Sequence, residues 1–128
     1  MTIKKLTILS LVICLLLSVT ACSQEPGYEQ ISAEEAKQIM DTEENYVILD
    51  VRTEEEFFLG HIPGAGLIPD YEIEDRAEAE LTDKEQLILV YCRSGNRSKD
   101  ASAALAEMGY TNVKEFGGIN DWPYQQTR

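Results

Sequence analysis

The chain has 128 residues, with 23 acidic side chains against 11 lysines and arginines and a formal charge of −12. That length holds one domain, and so acidic a balance excludes nucleic acid as a partner and a polybasic grip on anionic lipid. Most of the surplus acid is read as a solvated surface.

The first segment is read as a targeting signal rather than structure. Lys4 and Lys5 precede an apolar stretch from Leu6 to Val19, shorter than the roughly 20 residues of a membrane span and suited to the h-region of a signal peptide. Val19-Thr20-Ala21-Cys22 resembles the lipobox of bacterial lipoproteins. The expectation is a signal peptide over 1–21 and lipid on the sulfur of Cys22. A polar tether over 22–27 and a folded domain over 28–128 follow. The chain would then be a monomer, lipid-anchored on the extracytoplasmic side of a bacterial membrane. Removal of 1–21 takes Lys4 and Lys5 with it and leaves a formal charge of −14. Of the three cysteines, Cys14 leaves with the signal and Cys22 is acylated. Cys92 alone stays a free thiol, either an inert core residue or a reactive one, and its neighbours decide which.

In chain order, Ser32-Ala33-Glu34-Glu35 fits a capping box, and Ala33, Ala36, Ile39 and Met40 continue at helical spacing, which predicts a helix from Ser32 to Asp41. Tyr46 to Val51 is a compact apolar run, read as a strand buried on both faces. A second capping box, Thr53 to Glu56, opens a short helix that Gly60 stops. The segment from His61 to Gly66 is turn-rich, Leu67-Ile68-Pro69 is a brief strand, and Asp70 to Leu81 is an acidic surface helix. Leu87 to Tyr91 is the strongest strand signal, with Cys92 at its carboxyl end. A helix follows from about Asn96, with Ala101, Ala104, Leu105 and Met108 as its buried stripe and Gly109 as its stop. Asn112 to Phe116 is a last short strand. Strands alternating with helices give an α/β domain with a mainly parallel sheet.

Ligands of open α/β sheets bind beyond the carboxyl ends of the strands. One such end carries Asp50 and Arg52; the other carries Cys92-Arg93-Ser94-Gly95-Asn96-Arg97-Ser98. A cysteine there, on a glycine-containing turn into a helix, lies among N–H groups with no intrahelical partner. Those groups, the helix dipole, Arg93 and Arg97 favour an anion at the sulfur, so the thiol is expected to ionise more readily than a free cysteine. No histidine base is then required.

The loop from Cys92 to Ser98 resembles the active-site loop of single-domain rhodaneses. The likeness extends to Asp50-Val51-Arg52 with Glu56-Phe57, to Gly60-His61-Ile62-Pro63-Gly64-Ala65, and to Gly117-Gly118-Ile119 with Trp122-Pro123. The resemblance implies a three-layer fold with a mainly parallel five-stranded sheet and helices on both faces. It implies that Cys92 attacks the outer sulfur of a donor such as thiosulfate, expels sulfite and passes the resulting persulfide sulfur to cyanide or a thiol. Arg93 to Ser98 would bind the donor anion and Asp50 and Arg52 would support the site, with no metal or cofactor. Gly66-Leu67-Ile68-Pro69-Asp70-Tyr71 departs from the family pattern at the sheet edge.

Rival readings are a phosphatase or arsenate reductase on the same scaffold, a binding module without turnover, and a thiol-redox carrier. Four residues separate Cys92 from Arg97, one fewer than in the related phosphatases, which favours sulfur over phosphoryl transfer. A single cysteine with no resolving partner is a poor redox carrier. Among the remaining residues, His61 is expected to fix its turn, Arg52 to pair with a carboxylate such as Glu56, Asp50 to steady the site, and Trp122 to seal the fold.

Overall fold

The computed structural model describes residues 27–128. The expected signal peptide over 1–21, the lipid-bearing Cys22 and nearly all of the tether lie outside the described residues.

Five strands form one wholly parallel sheet: β1 (Glu29–Gln30), β2 (Tyr46–Asp50), β3 (Gly66–Leu67), β4 (Leu87–Cys92) and β5 (Val113–Gly118), in the order β1-β5-β4-β2-β3. Four helices, α1 (Ala33–Thr42), α2 (Glu54–Leu59), α3 (Ile73–Glu80) and α4 (Asn96–Glu107), connect them. Both edge strands are only two residues long, which leaves little unpaired backbone to template another chain. β1 has no counterpart in the sequence reading, because two exposed polar residues carry no periodic signal.

Alternation along the central strands sorts the core into two layers. Val47, Leu49, Val51, Ile88, Val90, Cys92 and Val113 face α3 and α4, where Ile73, Ala77, Ala101 and Leu105 complete one cluster. Tyr46, Ile48, Leu87, Leu89, Tyr91 and Phe116 face the other way, against Ala36, Ile39 and Met40 of α1 and against Ile62 and Trp122. Trp122 packs on Phe116 and gives its indole N–H to the Gln125 carbonyl, closing that layer as expected.

Both predicted capping boxes form. Ser32 and Glu35 exchange their side-chain and backbone bonds at α1, and Thr53 and Glu56 do so at α2. The acidic helix begins as a 3-10 turn over Asp70–Glu72 and becomes α3 only at Ile73.

Candidate active site

β4 delivers Cys92 to the carboxyl edge of the sheet, where pairing with β5 slips. Val90 lies opposite Glu115, but Cys92 lies opposite Gly118, so β5 carries one extra residue between the two pairs. The slip brings Gly118 beneath the loop that leaves β4. A Cβ on Gly118 would stand 2.2 Å from the Arg93 carbonyl oxygen, and that oxygen also accepts the Asn120 N–H at 3.1 Å. Gly95, with φ of +104°, turns the loop back and caps α4.

That turn sets the surroundings of the sulfur. Gly95 donates its N–H to Cys92 Sγ at 3.0 Å. Ser98 Oγ, from the first turn of α4, stands 3.3 Å from the same sulfur. Among the described residues these two are the hydrogen-bond partners of Sγ, where the sequence reading expected a fuller ring of N–H groups. Cys92 is 1% exposed, so the sulfur lies under its loop. Arg93, Ser94 and Asn96 are exposed on the rim.

Arg97 is placed by an acid the sequence reading assigned elsewhere. Its two terminal nitrogens bond Glu56 Oε2 at 2.8 Å and Oε1 at 2.9 Å, tying α4 to α2. The Arg97 guanidinium, with the Thr53 cap bonds, holds the Glu56 carboxyl down at about 2 despite partial burial. Arg97 is itself raised, chiefly by its bonds to Glu56 and in smaller part by the nearby Cys92.

The expected Arg52–Glu56 pair does not form. Arg52 turns back on Asp50, with Nη2 to Oδ2 at 2.7 Å and Nε within 3.0 Å of Oδ1, and Nη2 also bonds the Gly60 carbonyl. The reason is local: Asp50 ends β2 fully buried, two residues before Arg52, and its side-chain Oδ1 also accepts the Arg52 backbone N–H. Burial of Arg52 opposes its charge, and the Asp50 bonds and charge outweigh that burial. Asp50 therefore steadies Arg52 and the α2 exit rather than bonding the Cys92 loop. Arg52, Glu56, Gly60, Arg93 and Asn120 line one cavity of about 290 Å³ beside that loop.

His61 fixes its turn as expected, with Nδ1 3.0 Å from the Phe57 carbonyl and its ring stacked on Phe57. Its backbone pairs with Thr127.

Residues 32–124 match the family model described as a rhodanese-like domain. The chain belongs to the rhodanese-like family. It is 40% identical over 73 residues to the thiosulfate sulfurtransferase PspE of Escherichia coli, covering 57% of this chain and 70% of that protein. It is 35% identical over 94 residues to a sulfurtransferase of Allochromatium vinosum, covering 73% and 86%. Several other relatives are longer, and the chain spans 50% of one and 23% of another. The solved Escherichia coli structure titled "rhodanese with anions" superposes with a TM-score of 0.61 at 35% identity, covering 65% of this chain and 98% of that one. This rhodanese-like domain thus shares its parallel α/β architecture with solved relatives and its sequence with sulfurtransferases.

One site residue escaped the sequence reading. Glu115, on β5, is 3% exposed and its Oε1 accepts the Ser98 hydroxyl at 2.6 Å and the Gly117 N–H at 2.7 Å. The signal was present: Glu115 has the same strand parity as Val113, so it occupies an inward position that calls for an apolar side chain.

Proposed function

We propose that this domain is a thiosulfate-type sulfurtransferase in which Cys92 carries sulfane sulfur as a persulfide. The observation that carries the proposal is Cys92 Sγ at the end of a buried parallel strand, accepting the Gly95 N–H at 3.0 Å, because such a donor stabilises negative charge on sulfur. Cys92 displaces sulfite from the outer sulfur of thiosulfate, and cyanide or a thiolate then takes that sulfur from the persulfide. Arg93, Ser94, Gly95, Asn96, Arg97 and Ser98 form the anion cradle. Asp50 and Arg52 hold the wall of the neighbouring cavity.

The recess of the nucleophile supports sulfur over phosphoryl transfer. A one-atom terminal sulfur can approach a thiolate under a short loop, whereas a phosphate ester needs room for several oxygens. The name of the Escherichia coli relative, thiosulfate sulfurtransferase, supports the same choice of donor.

We further propose export through the 1–21 segment and lipid attachment at Cys22, which place the domain at the outer face of a bacterial membrane. Metabolic labelling with a fatty acid, with Cys22→Ala as control, tests the anchor.

The test of the chemistry is mass spectrometry after exposure to thiosulfate. A gain of one sulfur atom that cyanide removes, absent in Cys92→Ser, is the expected result. Turnover that survives Cys92→Ser overturns the proposal.

A further inference from the structure

We propose that Glu115 is the acceptor of the Cys92 proton, reached through the Ser98 hydroxyl, so that the thiolate and a neutral carboxyl form together. This rests on Cys92 being the nucleophile, and it assigns a positioning role to a residue that does not touch substrate.

The geometry forms one chain. Cys92 S–H donates to Ser98 Oγ across 3.3 Å, and Ser98 O–H donates to Glu115 Oε1 across 2.6 Å. All three residues are buried, at 1%, 0% and 3% exposure. Among the described residues no basic side chain lies within ion-pair distance of Glu115. A buried carboxylate with only neutral donors is costly, and a serine hydroxyl has a single proton to give. Were Cys92 and Glu115 both ionised, that one proton would face two anions.

One proton shared along the chain removes the conflict. The S–H bond breaks with its electron pair left on sulfur, and its proton bonds Ser98 Oγ. The former Ser98 proton passes to Glu115 Oε1. Net charge is unchanged, and the charge has moved to the sulfur, where the Gly95 N–H and Arg97 favour it. Attack on thiosulfate then releases sulfite and leaves an anionic persulfide, so charge and atoms balance with Glu115 still protonated.

The surrounding charges fit this division. On the sulfur side α4 supplies Arg97, whose charge acts on Cys92 and which Glu56 of α2 and Asp70, from the segment after β3, also influence. Beside Glu115 the strand partners carry no charge, Gln30 on β1 and Val90 on β4 lying opposite it, and α4 presents the Ser98 hydroxyl. Ser102, one turn further along α4, is fully buried and its hydroxyl has no partner.

Coupling of this kind is read from titration. Thiolate absorbance in the ultraviolet, taken as the difference from Cys92→Ser, is measured against pH beside the infrared carbonyl stretch of a protonated carboxyl. In the wild type the thiolate is expected to rise in one step while the infrared band persists through it, the band being lost only in a second step at higher pH. Glu115→Gln is expected to lose both the second step and the band. Ser98→Ala is expected to uncouple the two groups, and Ser98→Thr to restore the coupling. A single wild-type step without a protonated-carboxyl band overturns the relay, and the wild-type spectra decide this even if a variant fails to fold. Sulfur uptake from thiosulfate without coupled titration sinks the relay alone. Coupled titration in a domain that takes up no sulfur sinks the sulfurtransferase reading and leaves the relay standing.

Discussion

Glu56 binds both terminal nitrogens of Arg97 and, with the same carboxylate, closes the N-terminal cap of α2 through Thr53. One acid thereby fixes the distance between the helix that follows β2 and the helix that follows Cys92. Because its folded value is about 2 against an ordinary 4.5, the unfolded chain binds this proton first as pH falls. The contribution to stability is complete above pH 4.5 and is lost toward pH 2. Glu56→Gln is expected to cost about 1–2 kcal/mol at neutral pH, allowing for solvent screening. It is also expected to flatten the acid limb between those values, as followed by urea unfolding at stepped pH.

Gly118→Ala is expected to be among the most damaging single substitutions in the domain. The new methyl would meet Arg93 O at 2.2 Å and Ser94 Cα at 2.7 Å, and backbone on both sides cannot rotate away. A loss above about 3 kcal/mol is expected, with sulfur uptake abolished. Gly66→Ala, where nothing lies within 4 Å, is the control that thermal denaturation should show to be mild.

Asp50→Ala leaves the Arg52 guanidinium buried without its carboxylate. Breaking such a pair costs about 3–5 kcal/mol, whereas replacing both partners by apolar residues of similar size is far gentler. The double variant Asp50→Leu, Arg52→Met is therefore expected to be more stable than Asp50→Ala, and denaturant midpoints test the order.

Tyr91→Phe separates stability from chemistry. The phenol lies on the face opposite Cys92 and accepts the buried Ile62 N–H at 3.1 Å, while burial pushes its own ionisation well above the usual range. Loss of the hydroxyl is expected to cost about 1–3 kcal/mol. Faster hydrogen exchange at the Ile62 amide should accompany it, with sulfur uptake unchanged.

The sequence made the central architecture legible because its signals are local. The apolar runs at Tyr46 and Leu87 became β2 and β4, and Ser32–Glu35 and Thr53–Glu56 became capped helix starts. Gly109 adopts the left-handed conformation just past α4 that its position implied. The pairing of charges was not legible, since Arg52 had acids at two spacings and burial chose the nearer, Asp50. Arg97 to Glu56 spans 41 residues, a separation no local pattern announces. Glu115 was hidden differently: an acid beside Lys114 in a short strand reads as solvent-facing unless its parity with Val113 is weighed.

The two-residue period of β4 has a chemical meaning of its own. Tyr91 and Cys92 are neighbours in the chain but belong to opposite layers of the molecule. A slip of a single position against β2 and β5 would present a phenol to the α4 turn and send the sulfur to the tryptophan side. Strand register is therefore part of what the proposed chemistry specifies, and a mutation that loosened it would take the sulfur away from the α4 turn while leaving every functional group in the chain.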